Sequence, residues 1–310
     1  MIYKKINNTD LTVSAIALGT DVYGTDLSVK DSEELLDCYT SFGGNVIDTA
    51  KIYADWAEGE KSRSEKLIGS WLKKRGIRNE IIISTKGGHP ELNTMNVSRL
   101  SKEELTEDLN ASLKNLQTDY IDIYWLHRDD TKVPVSDIAE TLNGFVKSGK
   151  VRYLGLSNWT AARIDEINRY CSKNGLAPII ASQIQYSIAT PNYENNDPTL
   201  VIMNDTEYKY YKNEGLCVFA YASQAKGFFS KIHAGGIENL SEKARERYLN
   251  EKSLETYERL KILSEETNHT IGELVIASLT SNKDFLTIPI VGCKNTVQLK
   301  ESIAGSEICL

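Results

Sequence analysis

The chain has 310 residues, 41% of them hydrophobic, which is enough to bury a full core, since a single α/β barrel commonly needs about 250 residues. Its net charge of −7, from 36 basic and 43 acidic residues spread without long blocks, argues against a nucleic-acid-binding surface. The N-terminus lacks an apolar signal region and no stretch approaches the roughly 20 apolar residues of a membrane span, which predicts a cytoplasmic protein with no membrane partner.

Short apolar runs alternate with helical patterns along the chain. A predicted hairpin covers Tyr3 to Val13. The strands predicted after it are Ala15–Leu18, Val46–Asp48, Ile81–Lys86, Ile121–His127, Val151–Ser157, Ile179–Gln185, Leu216–Tyr221 and Phe285–Val291. The helices predicted between and after these strands are Asp31–Ser41, Ser64–Lys74, Ser101–Leu116, Val135–Lys147, Ala161–Lys173, Asp205–Asn213, Ser253–Asn268 and Thr270–Ser281.

Eight alternations of strand and helix with short connections predict a parallel sheet that closes into a barrel. No Pro/Gly/Ser-rich linker divides the chain, so we expect one α/β domain over residues 1–310, a (β/α)8 TIM barrel with an N-terminal β-hairpin and extra C-terminal helices. The alternative is an open doubly wound sheet, which needs a phosphate-binding turn after a strand, but no G-x-G-x-x-G occurs. Five scattered cysteines without CxxC spacing predict reduced thiols, and the four histidines lack the paired spacing of metal ligands.

Four ionisable residues lie at or just beyond the ends of three successive predicted strands: Asp48, Tyr53, Lys86 and His127. Polar groups at the C-terminal ends of parallel strands face the mouth of a barrel, so these residues are predicted to share one site. An ammonium beside a tyrosine favours the phenolate and lowers the pKa of the phenol, and a carboxylate keeps a buried lysine cationic. The set therefore predicts an acid of tuned pKa beside an oxygen-binding histidine, which reduction of a carbonyl requires.

Each of these four residues also has an ordinary structural explanation. Asp48 could cap the segment after it, Tyr53 could be a surface aromatic, and Lys86 could be a solvated loop residue. His127 could be a satisfied core histidine. These explanations weaken for the four together, because packing does not require a titratable residue at three consecutive strand ends.

Five motifs follow one another in a characteristic order along nearly the whole chain: Gly19-Thr20, Val46–Ala50 with Tyr53, Ser84–Lys86, Leu126-His127 and Gly155–Asn158. They resemble the motifs of the aldo-keto reductases, which are (β/α)8 barrels that use a nicotinamide cofactor without a Rossmann fold. The resemblance implies an NADPH-dependent oxidoreductase that reduces an aldehyde, ketone or sugar-like carbonyl to an alcohol. It also implies Tyr53 as the general acid/base, Lys86 and Asp48 as the residues that tune it, and His127 as the residue that orients the carbonyl.

The same resemblance implies where the nicotinamide would bind. Ser157, Asn158 and Gln183 correspond to the family's ligands for the nicotinamide carboxamide, whose donor and acceptor suit amides and hydroxyls. Tyr221 stands where the family places an aromatic that stacks on the nicotinamide face. The ordinary alternatives are a helix cap for Ser157 and Asn158 and a core aromatic for Tyr221.

The segment Ala222–Phe228 occupies the position of the family's diphosphate loop. The common proline–leucine pair is replaced by Ser223 and Gln224, whereas Lys226 and Gly227 still suit a phosphate by charge and by close backbone approach. The stretch Ser230–Ser241 is predicted to fold over the cofactor as a mobile strap.

The segment Val291–Gln298 resembles the adenosine-phosphate site. Lys294 would meet a ribose 2′-phosphate, which favours NADP(H) over NAD(H), although many relatives carry an arginine near Asn295 and an asparagine where Ser302 stands. The remaining cofactor residues that the resemblance implies are Gly19, Thr20, Ala222, Ser223, Gly292, Glu301 and Ser302, with Asn295 and Thr296 near the phosphate and Gln298 beside the adenine.

Loop residues after the strands are predicted to line the pocket of a small-molecule carbonyl substrate: Tyr23, Trp56, Arg128 and Trp159. Asp129 and Asp130 follow Arg128 directly. Aromatic rings with neighbouring carboxylates would suit a hydroxylated, sugar-like compound, but the same loop residues could instead be salt-bridged at the rim. The sequence leaves the oligomeric state open.

Two other functions stay open. Lys86 at the end of a barrel strand could be the nucleophile of a Schiff-base aldolase. Some members of the resembled family serve as subunits of membrane channels and keep the cofactor pocket, so a cofactor-binding regulatory role with little turnover is the second alternative.

Overall fold

A computed structural model describes residues 1–195 and 197–310. An antiparallel hairpin pairs β1 (Tyr3–Lys5) with β2 (Thr12–Ser14). The barrel strands are β3 (Ala17–Gly19), β4 (Val46–Asp48), β5 (Ile82–Gly87), β6 (Ile121–Leu126), β7 (Val151–Ser157), β8 (Ile179–Gln185), β9 (Cys217–Tyr221) and β10 (Thr287–Val291). They close in the order β10-β3-β4-β5-β6-β7-β8-β9, and each neighbouring pair is parallel, which confirms the predicted (β/α)8 barrel and its hairpin.

Helices follow the strands on the outside of the barrel. They are α1 (Val29–Ser41), α2 (Arg63–Arg75), α3 (Lys102–Leu116), α4 (Val135–Lys147), α5 (Ala161–Asn174), α6 (Asp205–Glu214), α7 (Phe228–Gly235), α8 (Glu242–Tyr248), α9 (Glu251–Thr267), α10 (Ile271–Thr280) and α11 (Thr296–Gly305). All eight predicted helices are present; α4 has the predicted bounds, the other seven shift at one or both ends, and α7, α8 and α11 add to them. A capping box of Ser101 and Glu104 begins α3.

The stretch predicted as a strap is mostly helical. Helix α7 covers its first part, and a 3-10 turn at Ile237–Asn239 follows. Phe228, Phe229 and Ile232 on α7 are buried in a hydrophobic cluster with residues of α8, α9 and α10. Apolar spacing of this kind therefore fixes the segment to the C-terminal helices, next to the end of β9.

Side chains along the strands alternate between the barrel interior and the layer of helices. On β6, Ile123 and Trp125 belong to the interior cluster, whereas Tyr124 and Leu126 belong to the cluster between strands and helices. Gly155 makes room for the indole, since a Cβ there would lie 2.2 Å from Trp125. Ile6, Leu11 and Val13 of the hairpin region join the interior cluster, so the hairpin covers the N-terminal end of the barrel.

The two ends of the barrel therefore differ. The C-terminal ends of the strands carry the predicted functional residues and face away from the hairpin. None of the helices in the described part of the chain combines the length and apolar character that crossing a membrane requires. All five cysteines are free thiols.

Candidate active site

Lys86 forms the centre of the predicted catalytic group. Its Nζ lies 2.5 Å from Asp48 Oδ2, 2.8 Å from the Thr49 carbonyl oxygen and 2.9 Å from the Tyr53 hydroxyl oxygen. An ammonium has three N–H donors and no acceptor, so these contacts use all three. Tyr53 thus accepts from Lys86, and its own hydroxyl hydrogen stays free to donate to another oxygen.

The Asp48 carboxylate is held from three strands. Its Oδ1 accepts from the Ser84 hydroxyl on β5 at 2.8 Å and from Gln183 Nε2 on β8 at 3.0 Å. Trp125 on β6 in turn donates to Ser84 Oγ at 2.7 Å. Asp48 and Lys86 are each 1% exposed, so the ion pair is buried and its geometry is set by the barrel rather than by loops.

Burial dominates the pKa values of this group. It lowers the pKa of Lys86, while the charge and hydrogen bond of Asp48 oppose the shift. Burial also raises the pKa of Tyr53 well above its usual value, and the negative charge of Asp48 adds to that. The pKa of Tyr53 is raised rather than lowered as predicted from the nearby Lys86, because burial disfavours the phenolate and the charge of Asp48 adds to that effect. The phenol is protonated at neutral pH, as a proton donor must be.

His127 follows β6, and its backbone N–H donates to the Gly87 carbonyl oxygen at 2.9 Å. Its ring packs edge-on against Tyr53, with centroids 5.9 Å apart, and against His89, at 4.6 Å. Burial lowers the pKa of His127 well below its usual value, and the positive charges of Lys86 and Arg128 act in the same direction, so the ring is neutral. Nδ1 is buried and has no partner in the described parts of the chain. Nε2 is therefore the ring nitrogen left to form a hydrogen bond with a ligand, to which it donates when it carries the proton.

The predicted substrate residues divide into rim and core. Trp56 is 51% exposed, and its ring centroid lies 6.4 Å from that of Tyr53. Arg128 is half-buried beside His127, whose carbonyl oxygen accepts from its Nη1 at 3.1 Å. Tyr23 and Trp159 are instead 1% and 0% exposed, so neither offers surface to a substrate in this structure. Their bulky rings fill the core beneath the loops.

The predicted nicotinamide ligands lie together but are tied to one another. Asn158 donates through Nδ2 to the His127 carbonyl oxygen and to Ser157 Oγ, both at 3.2 Å. Its Oδ1 accepts from the Tyr221 hydroxyl at 2.6 Å. Gln183 uses Nε2 for Asp48, and within the described residues its Oε1 accepts no hydrogen bond. Of these four residues, Gln183 and Ser157 retain groups that could still bind a carboxamide, while Tyr221 presents a half-buried ring.

The segment after β9 is a chain of tight turns. Left-handed backbone occurs at Ala222, Lys226 and Gly227. The Ser223 hydroxyl donates to the Ile290 carbonyl oxygen at 2.7 Å, and Gln224 Nε2 donates to Ser302 Oγ at 3.2 Å. Ser223 and Ser302 are 1% and 0% exposed. These two predicted cofactor residues therefore fasten the loop to β10 and α11.

Lys226 lies within a cluster of positive charge. Partial burial of its ammonium lowers its pKa, and the charges of Arg247, Lys243 and Lys231 lower it further, while Asp21 opposes them. In the part of the chain that the structure describes, neither Lys226 nor Arg247 forms an ion pair with a carboxylate. This cluster is suited to an anion of more than one charge, such as a diphosphate.

Lys294 lies just before the N-terminus of α11. Its backbone N–H donates to Gln298 Oε1 at 2.8 Å, and Asn295 Oδ1 caps the helix by accepting from the Gln298 backbone N–H at 3.0 Å. The Lys294 side chain is exposed, and a Cβ at Gly292 would meet nothing within 4 Å. An exposed ammonium, open space and a helix N-terminus therefore come together, a combination that suits a phosphate.

Three other predicted cofactor residues make structural contacts. A Cβ at Gly19 would lie 2.9 Å from a side chain of β10, so glycine lets these neighbouring strands approach. Thr20 is fully buried, and its hydroxyl donates to the Asp48 carbonyl oxygen at 2.9 Å. Glu301 Oε1 accepts from the Thr270 hydroxyl at 2.6 Å. Some residues of the sequence motifs therefore position the strands and helices, while others face the mouth of the barrel.

Comparison with known proteins decides the family. A model of the aldo/keto reductase family matches residues 15–310. The chain belongs to this family. A probable voltage-gated potassium channel subunit beta from Arabidopsis thaliana is 28% identical over 99% of this chain and 92% of its own length. The uncharacterized oxidoreductase YrpG from Bacillus subtilis is 29% identical over 100% of this chain and 92% of its own length. Norsolorinic acid reductase B from Dothistroma septosporum is 26% identical over 100% of this chain and 79% of its own length.

Membership of the family, with relatives named as an oxidoreductase and a reductase, supports an oxidoreductase. Aldo/keto reductases generally use NAD(P)H. The residues of this aldo/keto reductase fit such a dinucleotide, because Lys226, Arg247 and Lys294 supply cations at the mouth that no carboxylate of the described residues pairs with.

Three residues of this aldo/keto reductase site were not predicted from the sequence. His89 packs on His127, and its Nδ1 lies 2.6 Å from the Pro90 carbonyl oxygen. Arg247 on α8 and Asp21 after β3 both act on the charge of Lys226. His89 follows Lys86 by three residues, so its distance from the strand end was a usable signal. Arg247 had none, because only the fold brings α8 to the end of β9.

Proposed function

We propose that this aldo/keto reductase reduces a carbonyl compound, an aldehyde or ketone, to an alcohol, with NADPH preferred to NADH and with Tyr53 as the proton donor. The observation that carries the proposal is the threefold hydrogen bonding of Lys86, which leaves the Tyr53 hydroxyl hydrogen free beside His127. We further propose that residues 1–310 act as one barrel domain.

In the proposed reaction the protein polarises the carbonyl and supplies one proton. The substrate oxygen accepts hydrogen bonds from the Tyr53 hydroxyl and from His127 Nε2, which together polarise the carbonyl. When bound, the nicotinamide cofactor supplies the hydride to the carbonyl carbon. The phenol proton passes to the substrate oxygen, and the Lys86 ammonium stabilises the phenolate that this leaves. Asp48 keeps Lys86 charged and in place throughout.

The cofactor would lie along the cationic side of the mouth. Lys226 and Arg247 would hold the diphosphate, and Lys294 the 2′-phosphate. Gln183 Oε1 would accept from the carboxamide, and the Tyr221 ring would support the nicotinamide. A separate charge for the 2′-phosphate is the reason for proposing NADPH over NADH.

The decisive experiment is NADPH oxidation against a panel of aldehydes, ketones and sugars. We expect turnover with some of the panel, and a fall of about 100- to 10,000-fold in kcat for Tyr53→Phe, the usual contribution of a general acid. NADPH fluorescence quenching should be retained, because the hydroxyl does not hold the cofactor. Tyr120→Phe is the matched control, since this phenol bonds Asn79, and both residues lie before the N-terminal ends of β5 and β6, at the end of the barrel away from Lys86. Equal turnover in both variants would contradict Tyr53 as the donor.

A second candidate is a regulatory, partner-binding role. It is favoured by the Arabidopsis thaliana relative and by one from Oryza sativa, 27% identical over 99% of this chain, both named as probable voltage-gated potassium channel subunits beta. This role predicts tight NADPH binding with negligible turnover across the whole panel, an outcome that the same assay separates from a reductase.

The Schiff-base aldolase is the remaining alternative. It requires a neutral, accessible Lys86 amine as nucleophile. Burial does lower the pKa of Lys86, but its three donors are engaged and its Asp48 partner opposes the shift. Borohydride trapping of a carbonyl compound on Lys86, without any need for NADPH, would favour the aldolase.

A further inference from the structure

Arg128 is a half-buried arginine at the mouth of the barrel that lacks a carboxylate partner. Its Nη1 donates to the His127 carbonyl oxygen at 3.1 Å, while its Nε is buried without a partner. A guanidinium has five N–H donors, and within residues 1–195 and 197–310 this is the hydrogen bond that Arg128 makes. Withdrawing a cation from water without a counter-charge is unfavourable, so its retention at this position calls for a ligand.

The carboxylates next to Arg128 in sequence do not neutralise it. Asp129 Oδ2 lies 3.3 Å from Arg163 Nε on α5. Asp130 Oδ1 accepts from the Lys132 backbone N–H at 3.0 Å. The alternative in which these loop residues are salt-bridged at the rim is therefore what the structure shows for Asp129. The expectation of a neutral, sugar-like substrate relied on free carboxylates as hydrogen-bond acceptors, and Asp129 is not free because it pairs with Arg163.

The guanidinium lies among the groups that surround the proposed substrate oxygen. Burial is the main cause of the pKa shifts of Tyr53, Tyr221, His89 and His127, and the charge of Arg128 acts on all four. Arg128 directly follows His127, and its Nη1 is bonded to that residue's carbonyl. The positive charge thus faces the same pocket as the Tyr53 hydroxyl.

The positive charge of Arg128 also acts on the carboxylate of Asp197. Its side chain accepts from the Thr199 backbone and hydroxyl at 2.8 and 2.7 Å. These hydrogen bonds and the charge of Arg128 together lower its pKa, although burial opposes them. Asp197 and Arg128 are not within ion-pair distance of each other. Asp197 therefore does not neutralise Arg128, whose guanidinium has no carboxylate partner among the described residues.

We propose that Arg128 binds an anionic group, a carboxylate or a phosphate, carried by the carbonyl substrate. The proposal rests on the proposed function, because it assigns the far end of a molecule whose carbonyl oxygen meets Tyr53 and His127. The planar fork of donors suits either anion, since both accept two parallel hydrogen bonds.

The test uses pairs of aldehydes that differ in one charge. 4-Carboxybenzaldehyde is compared with methyl 4-formylbenzoate for the carboxylate, and glyceraldehyde 3-phosphate with glyceraldehyde for the phosphate. We expect at least one anionic member to have a kcat/KM about 10- to 100-fold above its neutral partner, as for a hydrogen bond to a charged group. The pair that shows the preference identifies the anion. No preference in either pair overturns the proposal.

Variants show whether Arg128 is responsible. In Arg128→Gln the ratio of kcat/KM for the anionic substrate to kcat/KM for its neutral partner should fall to about one, mainly through KM of the anionic substrate, and the neutral partner calibrates any general effect of the lost charge on the site. Arg128→Lys should recover only part of it, because a lysine keeps the charge but not the fork. Arg169→Gln on α5, 80% exposed, is the matched control for loss of one arginine and should leave the preference intact.

The remaining outcomes are also informative. An equal fall in kcat for neutral and anionic substrates in Arg128→Gln would overturn the proposal, because Arg128 would then act on the Tyr53 proton rather than on the substrate. Asp197→Asn should lower KM for the anionic substrate by a few fold, since it removes the opposing charge. If the unaltered protein oxidises NADPH with none of the aldehydes, the proposed function fails; if it reduces neutral and anionic members alike, only the role of Arg128 fails.

Discussion

The buried group around Lys86 and the cationic mouth of the barrel differ in how their charges are compensated. In the buried group, the three N–H donors of Lys86 bond Asp48, Thr49 and Tyr53. Asp48 in turn accepts a hydrogen bond from Ser84. Apart from the Tyr53 hydroxyl hydrogen, the donors of this group are bonded within the chain before any ligand binds. Its geometry is therefore a property of the folded barrel.

The mouth carries cations without carboxylate partners in the described residues, namely Arg128, Lys226, Arg247 and Lys294. Partial burial lowers the pKa of Lys226, and the positive charge of Arg247 lowers it further, so the cations of the mouth repel one another. The positive charges of this surface are neutralised only when anions bind. The difference predicts that removing a charge from the centre costs stability, whereas removing one from the mouth costs affinity.

The largest expected effect is on the buried pair. Lys86→Met leaves the Asp48 carboxylate buried without its cation, which should lower the free energy of unfolding by about 3–5 kcal/mol. Asp48→Asn combined with Lys86→Met removes both charges and should recover about 1–3 kcal/mol of that loss through coupling. Urea denaturation of the single and double variants measures both values. If the losses measured for Asp48→Asn and for Lys86→Met add up to the loss in the double variant, the two charges are not coupled and the comparison fails.

At the mouth, Lys226→Gln and Arg247→Gln should each weaken NADPH binding by about 10-fold, the loss of one charge-assisted hydrogen bond. Binding of each variant should also depend less steeply on salt. The melting temperature of the ligand-free protein should stay the same or rise, because a repulsive charge has gone. Fluorescence quenching titrations and thermal melts test this, with Lys252→Gln on α9 as the control. A clear fall in melting temperature would mean that these cations are structural.

The neutral histidines predict a dependence of stability on pH. Burial lowers the pKa of both His89 and His127, so the unfolded chain takes up protons below about pH 6.5 while the folded chain does not. Stability should therefore fall as pH decreases below about 6.5, by up to about 1.4 kcal/mol per pH unit for each histidine. Asp129, whose pKa burial raises to about 6, contributes with the opposite sign between its ordinary value and 6.

The difference between the unaltered protein and His89→Gln isolates one histidine from these other groups. Denaturation midpoints at several pH values between 5 and 8 should differ more at the acidic end than above pH 7. A difference that does not change with pH would show that His89 contributes packing alone.

The strand ends explain why the centre was predictable. Asp48, Lys86 and His127 each close an apolar run, and in a parallel barrel such positions must converge. What followed from the sequence was the set of residues, not their pKa values. The resting pKa of Tyr53 depends on how completely the barrel removes water from the phenol, and neither spacing nor residue type carries that information.

At other positions the residue could be predicted from the sequence, but its partner could not. Trp159 follows β7 and could have lined the pocket, yet it is buried, with the Arg163 guanidinium 5.3 Å from its ring centroid. Thr20 bonds the Asp48 backbone instead of facing the mouth. Asn158 is taken up by the Tyr221 hydroxyl. The contacts of Thr20 and Asn158 join residues that are 28 and 63 positions apart in the chain, so they depend on tertiary structure.

The smallest expected effect concerns Lys294. Its side chain is exposed, so water and salt screen its charge, and Lys294→Gln should reduce the preference for NADPH over NADH by only about 3- to 10-fold. The helix cap should persist, because Asn295 and the Lys294 backbone, not the ammonium, bond Gln298. The ratio of NADPH to NADH affinity, measured at low and at high salt, checks this. An unchanged ratio would move the 2′-phosphate to another cation and leave Lys294 outside the group that defines the mouth.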